Sequence, residues 1–434
     1  MRKFLAALLA LLATPALAQA PSTDPSPRAA QDPSPRAAQD PLPRAAPASV
    51  GLSPERLARL TASFRAEAER GQLPGGVIAI ARRGRLAYFE AFGHLDGART
   101  RPMPRDAIFP IASMTKPLTG VAMLSVLEEG KLALTDPVGR FLPPLATMRV
   151  AVGGSATETV PAARPITLTD LARHTSGIVY GSRGTTPAHQ AWQASLGGML
   201  RMQAPAFVSG MAALPLLAQP GTAWEYGLST DVLGLVVEQA SGKPLGTLLR
   251  ERVFGPLGMR DTGFVVSAAQ RPRYATPLPT DPLTGRPQQV TMGLEAPGFE
   301  CGGACGVSTA ADYIRFLQML LNGGTLDGKR ILSRKSVEEM TRDHMHAGIA
   351  NNLTVTEPDR IGWGFGLTVA VRREAGSGML GSPGMYGWNG VFGTTMWIDP
   401  KEQLAVVYMN STPGQGRQVY RRMLNSLVYG ALAD

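Results

Sequence analysis

The segments that read as β-strands lie at the two ends of the chain, and helix-patterned sequence fills the stretch between them. Near the start, 76–81 and 85–89 are apolar runs separated by Arg83-Gly84, a pair suited to a two-residue hairpin turn. Near the end, 366–371, 394–398 and 403–409 have the same character. A helix is expected after Ser53-Pro54, with Ser as N-cap, Pro at the first helical position, and Leu57, Leu60, Phe64 and Ala68 at helical spacing. Further helices are expected over 116–129, 169–173, 228–240, 245–253 and 416–431. This order admits few folds. It implies an α/β (α+β) architecture: one antiparallel sheet built from N- and C-terminal segments, flanked by helices, with an inserted, mostly helical lobe.

Ahead of that body, 1–18 reads as a secretory signal. Arg2 and Lys3 precede an apolar run, 4–13, too short to span a bilayer, and Ala16-Leu17-Ala18 offers a small-x-small cleavage site. The expectation is an exported, periplasmic or secreted protein. Residues 19–48 hold the octads DPSPRAAQ, DPSPRAAQ and DPLPRAAP, marked by Asp24, Asp32 and Asp40. Proline blocks regular hydrogen bonding and little there is apolar, so 19–48 is expected to be an extended tether and 49–434 the folded domain. The tether suggests peripheral association with the cell envelope; a duplication without a role is the alternative. The net charge of +10 comes mostly from scattered arginines with no dense run, so no nucleic-acid partner is expected. Cys301 and Cys305 could close a small disulfide ring outside the cytoplasm. Two thiols with no nearby His make a poor zinc site, and His344-x-His346 is expected to be a surface pair. No metal and no cofactor is assigned.

Chemistry is concentrated at Ser113-Met114-Thr115-Lys116. If Ser113 opens a helix, Lys116 lies on the same face, near a helix N-terminus that favours developing negative charge. A lysine that loses its proton can activate a serine hydroxyl. The same four residues would also suit an N-cap serine followed by a solvated lysine. Tyr226, in the loop-to-helix segment 219–234, can relay a proton to a leaving group or simply pack against the helical lobe. The Gly-rich run 386–394 can bring a backbone N–H to a reacting carbonyl opposite the Ser113 N–H, or form an ordinary hairpin.

Ser113-x-x-Lys116, Pro220-Gly221-Thr222-x-Trp224-x-Tyr226, His174-Thr175-Ser176-Gly177 and Trp388-x-Gly390 together resemble the serine β-lactamase and penicillin-binding-protein superfamily. Their order is most similar to class C β-lactamases and family VIII carboxylesterases, over 52–431, nearly all of the mature chain. The resemblance implies a β-lactamase/transpeptidase-like fold, Ser113 as nucleophile, Lys116 as base, Tyr226 sharing the proton traffic, and the N–H groups of Ser113 and Val391 as oxyanion donors. It makes His174 structural. Two departures bear on the substrate. Leu228 stands where the lactamases carry the Asn of Tyr-x-Asn, and Trp388-Asn389-Gly390 stands in place of Lys-Thr-Gly. Losing a polar holder and a cation, the substrate-binding positions Leu228, Trp388, Asn389 and Gly390 are expected to form a more apolar wall. That implies a carboxylesterase for short neutral esters. A weak β-lactamase, amidase or D-Ala-D-Ala peptidase is the alternative, and an inactive cell-wall-binding homologue a third. There is no G-x-S-x-G, so an α/β-hydrolase elbow is not the source of activity.

Overall fold

Arg83 and Gly84, both at positive φ (52° and 75°), turn the first hairpin as a two-residue turn requires. They join strand β1 (Gly75–Arg82) to β2 (Arg85–Gly93). The computed structural model describes residues 40–434, so the signal over 1–18 and the first two octads lie outside the described residues. Strand β9 (Leu404–Asn410) pairs antiparallel with β1, from Gly76 opposite Asn410 to Arg82 opposite Leu404. The two ends of the domain thus meet in mid-sheet, as expected. The full sheet has seven strands in the order β5-β6-β7-β8-β9-β1-β2. Here β5 is Gly364–Phe365, β6 Ala370–Val371, β7 Tyr386–Asn389 and β8 Thr395–Asp399. A separate pair, β3 (Phe109–Ala112) and β4 (Gly306–Ser308), lies beside it and carries the site.

Every residue of β1 and β9 is buried, because helices pack on the sheet. Helix α1 (Pro54–Glu69), capped by Ser53 through the Arg56 N–H, brings Phe64 against Phe92, Tyr408 and Tyr420. Tyr420 belongs to the last helix, α5 (Gly416–Tyr429). Helix α4 (Ala310–Leu321) packs on β1, β8 and β9. The inserted region contains α2 (Thr115–Leu127) and α3 (Ser229–Ser241), which pack on each other and supply the floor of the site. Among the described residues, no helix is long and apolar enough to cross a membrane.

Two expectations are corrected. Of the strand expected over 366–371 only 370–371 (β6) is extended; 366–369 form a tight turn between β5 and β6, in which Gly366 N–H donates to Val369 O (2.8 Å) and Thr368 sits at φ 67°. That run is apolar because it is buried, and burial does not distinguish an extended chain from a turn. The folded domain also begins before 49. The third octad packs on the domain: Leu42 is buried, Leu86 N–H donates to Pro43 O (2.9 Å), and Ala45 N–H donates to Leu86 O (3.2 Å). Leu42 occupies the place that Ser26 and Ser34 hold in the first two octads, and one leucine gives the third repeat something to bury.

Candidate active site

Strand β3 ends on Ala112, which is held at φ 45°, a strained conformation for a residue with a Cβ. Thr115 anchors it. Its hydroxyl donates to Ala112 O (2.6 Å) and accepts from the Gly306 N–H of β4 (2.9 Å). The bend leaves Ser113 half-buried between β3 and α2, one residue ahead of the helix cap, so it does not cap the helix. Its Oγ instead accepts from Tyr226 Oη (2.7 Å) and from Lys116 Nζ (3.4 Å). The structure therefore brings Ser113, Lys116 and Tyr226 together.

Lys116 is fully buried, which excludes a solvated lysine. Its Nζ also donates to Tyr180 Oη (3.3 Å) and to Gly303 O (2.6 Å), and lies 4.8 Å from the Tyr226 ring centre. Beneath it, Asp231 of α3 accepts the Gly303 N–H (2.9 Å). Burial pushes the Asp231 carboxyl up to about 6, against the opposing pull of Lys116 and the Gly303 N–H. Burial also pushes the Tyr180 phenol well above its ordinary value. Tyr180, Asp231 and the Gly303 carbonyl are site groups that sequence reasoning missed.

His174 does not touch Ser113. Its ring is buried 4.9 Å from that of Tyr226 and 5.7 Å from that of Phe365. Burial, together with the charges of Lys116 and Arg183, holds its imidazole well below the ordinary value, so it is neutral. It props Tyr226 as a packing residue.

The β7–β8 turn abuts β3. A Cβ on Gly390 would meet Ile111 O at 2.4 Å and Thr394 Oγ1 at 2.1 Å, so this approach requires glycine. The turn puts Val391 at the mouth of a small cleft that Ser113, Tyr226, Asn389, Arg183 and Arg417 also line. Among the described residues, the N–H groups of Ser113 and Val391 donate to no other protein group.

The substrate wall expected from Trp388 and Leu228 is not there: both are buried, at 1% and 3% exposure. Alternate residues of a strand point to opposite sides: Asn389 lines the cleft, and Trp388 packs behind Tyr226, another of its lining residues. The Trp388 indole N–H donates to Tyr226 Oη (3.1 Å), with the Arg360 guanidinium 5.3 Å from its ring centre. Asn389 is tied down, donating to Glu357 and accepting from Thr395. A cation does reach the cleft: exposed Arg183 lies 5.0 Å from the Tyr226 ring centre and donates to Thr356 Oγ1 (3.2 Å). His344 is buried, its Nε2 against Glu339 O (2.8 Å), and so is not a surface residue. Cys301 and Cys305 are joined, with Cα atoms 5.3 Å apart.

Residues 57–429 match the family model described as Beta-lactamase. Protein Rv1367c of Mycobacterium tuberculosis is 39% identical over 359 residues, 80% of this chain and 88% of that protein. Esterase EstB of Burkholderia gladioli is 32% identical over 385 residues, 83% of this chain and 91% of that protein. The solved structure of EstCE1, a hydrolase with promiscuous acyltransferase activity, superposes with a TM-score of 0.71 at 28% identity, covering 87% of this chain and 99% of that one.

Proposed function

This chain belongs to the beta-lactamase family and is a serine hydrolase of that fold, and from that premise we propose that it is an exported carboxylesterase acting on short, neutral esters through a Ser113 acyl-enzyme. The observation that carries the proposal is the convergence on Ser113 Oγ of Tyr226 Oη at 2.7 Å and Lys116 Nζ at 3.4 Å. In its neutral form Lys116 takes the Ser113 proton as Oγ attacks the ester carbonyl. The developing oxyanion is met by the N–H groups of Ser113 and Val391. Tyr226 hands a proton to the departing alkoxide and regains one through Lys116. Water then attacks the acyl-enzyme, releasing the acid and restoring Ser113.

The ester preference is supported by the named esterase relative and by the absence of a lysine on β7, where Trp388 stands. Arg183 offsets that absence only weakly. It is exposed, and an exposed guanidinium contributes roughly 0–1 kcal/mol to holding a carboxylate. Export is supported by the signal pattern over 1–18, and a peripheral hold on the envelope by the proline-rich repeat that follows. Cell fractionation and N-terminal sequencing test both, with Gln19 as the expected first residue. The enzymatic test gives the purified chain an aryl acetate or butyrate, a chromogenic cephalosporin and a D-Ala-D-Ala peptide. The ester is expected to have the highest kcat/KM. A preference for the cephalosporin or the peptide would overturn the esterase reading, and inertness toward all three would favour a binding protein.

A further inference from the structure

We propose that the Cys301–Cys305 disulfide ring is a positioning element that aims the Lys116 lone pair at Ser113. The inference rests on Lys116 being the base. The ring is Cys301-Gly302-Gly303-Ala304-Cys305, and both sulfurs are buried. It docks against one face of α2. Gly302 O accepts from Thr119 Oγ1 (2.7 Å), and Gly303 O accepts from Lys116 Nζ (2.6 Å), three residues earlier on the helix. From below, Asp231 holds the Gly303 N–H at 2.9 Å. The fit is close: a Cβ on Gly302 would meet Thr119 Oγ1 at 2.9 Å, and one on Gly303 would meet Asp231 Oδ2 at 2.4 Å.

The chemistry gives this contact a purpose beyond packing. A lysine able to take a proton is a neutral amine with two N–H donors and one lone pair. Two acceptors other than Ser113 surround Lys116 Nζ: Gly303 O and Tyr180 Oη. If they take the two N–H groups, the lone pair is left for Ser113 Oγ, the third neighbour. Gly303 O is the nearer of the two acceptors, so it sets the rotation of the amine. Yet Gly303 sits in a Gly-Gly peptide, the most flexible kind of backbone, which by itself would hold a carbonyl poorly. The disulfide removes that freedom by closing the peptide into a ring next to β4. The sequence needs the two glycines for the close approach and the two cysteines to keep them in place.

The test compares oxidised wild type with Cys301→Ala/Cys305→Ala, and with wild type reduced by dithiothreitol. In the reduction, two electrons and two protons pass from the reagent's thiols to the protein disulfide. Two cysteine thiols form, and the reagent closes to its own cyclic disulfide. Kinetics on an aryl acetate, the rate of Ser113 labelling by a fluorophosphonate and the melting temperature are measured on each. A misaimed base is expected to lower kcat and the labelling rate by about ten- to a hundredfold. KM should change less than about threefold, because the substrate cleft is untouched. In reduced wild type the loss should track the fraction reduced, read by mass after alkylation, and reverse on reoxidation. A folded double variant that keeps wild-type kcat and labelling rate overturns the proposal. If the double variant does not fold, reduced wild type decides: full kcat with the disulfide open overturns it equally. Lys116→Ala with the ring intact tests the underlying reading separately. If that variant stays active, the base assignment fails whatever the ring does.

Discussion

Removing the indole N–H of Trp388 separates a proton-tuning role from a packing role. Its Nε1 donates to Tyr226 Oη at 3.1 Å, while the same Oη donates to Ser113 Oγ at 2.7 Å. When Tyr226 gives its proton to the leaving group, its oxygen becomes anionic and Trp388 is a donor already in place. Trp388→Phe deletes that donor and keeps an apolar ring in a site only 1% exposed. A hydrogen bond to a charged group contributes about 1.5–3 kcal/mol, which corresponds to a fall in kcat of about ten- to a hundred-and-fiftyfold. A bond that stays between neutral groups contributes about 0.5–1.5 kcal/mol, or about two- to twelvefold. The smaller ring should also cost about 1 kcal/mol of stability through imperfect packing. Trp388→Lys is the wrong probe, because it buries a second cation beside Arg360. The assay is kcat and KM on an aryl butyrate, alongside the melting temperature. A variant with a lowered melting temperature but unchanged kcat would show that Trp388 only packs, and would refute a tuned Tyr226.

Lys116→Arg should lose at least about a hundredfold in kcat, because a guanidinium stays protonated; near-wild-type activity would remove Lys116 as a base. Burial holds the Asp231 carboxyl at about 6, above its unfolded value of 3.8, so the folded chain binds more protons than the unfolded chain between those values and stability falls as pH rises through that window. Asp231→Asn should therefore gain stability relative to wild type between about pH 4 and 6, by on the order of 2–3 kcal/mol; a urea midpoint difference that does not change with pH there contradicts this. Arg183→Ala should lower kcat/KM for a carboxylate-bearing ester less than about fivefold and leave a neutral ester unchanged; a loss above tenfold for the charged ester alone would assign it a substrate anion.

What was legible in the sequence follows from how far each signal reaches along the chain. Ser113 and Lys116 are three residues apart, so a local pattern announces them, and Tyr226 sits in a motif of its own. The groups that tune them have no such signature. Gly303 acts through a backbone carbonyl, which every residue has. Asp231 and Tyr180 reach the site only because α3 and the 174–180 loop fold against α2. The Cys301–Cys305 spacing announced a ring but not what the ring would touch. The sequence puts Trp388 in a Gly-rich run ahead of a strand, whereas it lies on β7 itself and backs Tyr226; a strand buried on both faces gives no alternation to say which residue meets the cleft. That one sheet joins the two chain ends was readable because strand-like runs cluster there, whereas the turn at Thr368 hid in a run whose apolarity reported only burial. In the third octad the signal was present at Leu42, the one departure from the repeat's serine that gives it an apolar side chain to bury.

The central claim is that Ser113 carries the acyl group, and intact-protein and peptide mass spectrometry after a fluorophosphonate tests it most directly. The account predicts one adduct per chain, on the peptide that contains Ser113, absent in Ser113→Ala and slowed in Lys116→Ala. An adduct on any other residue, or labelling that persists in Ser113→Ala, would contradict it.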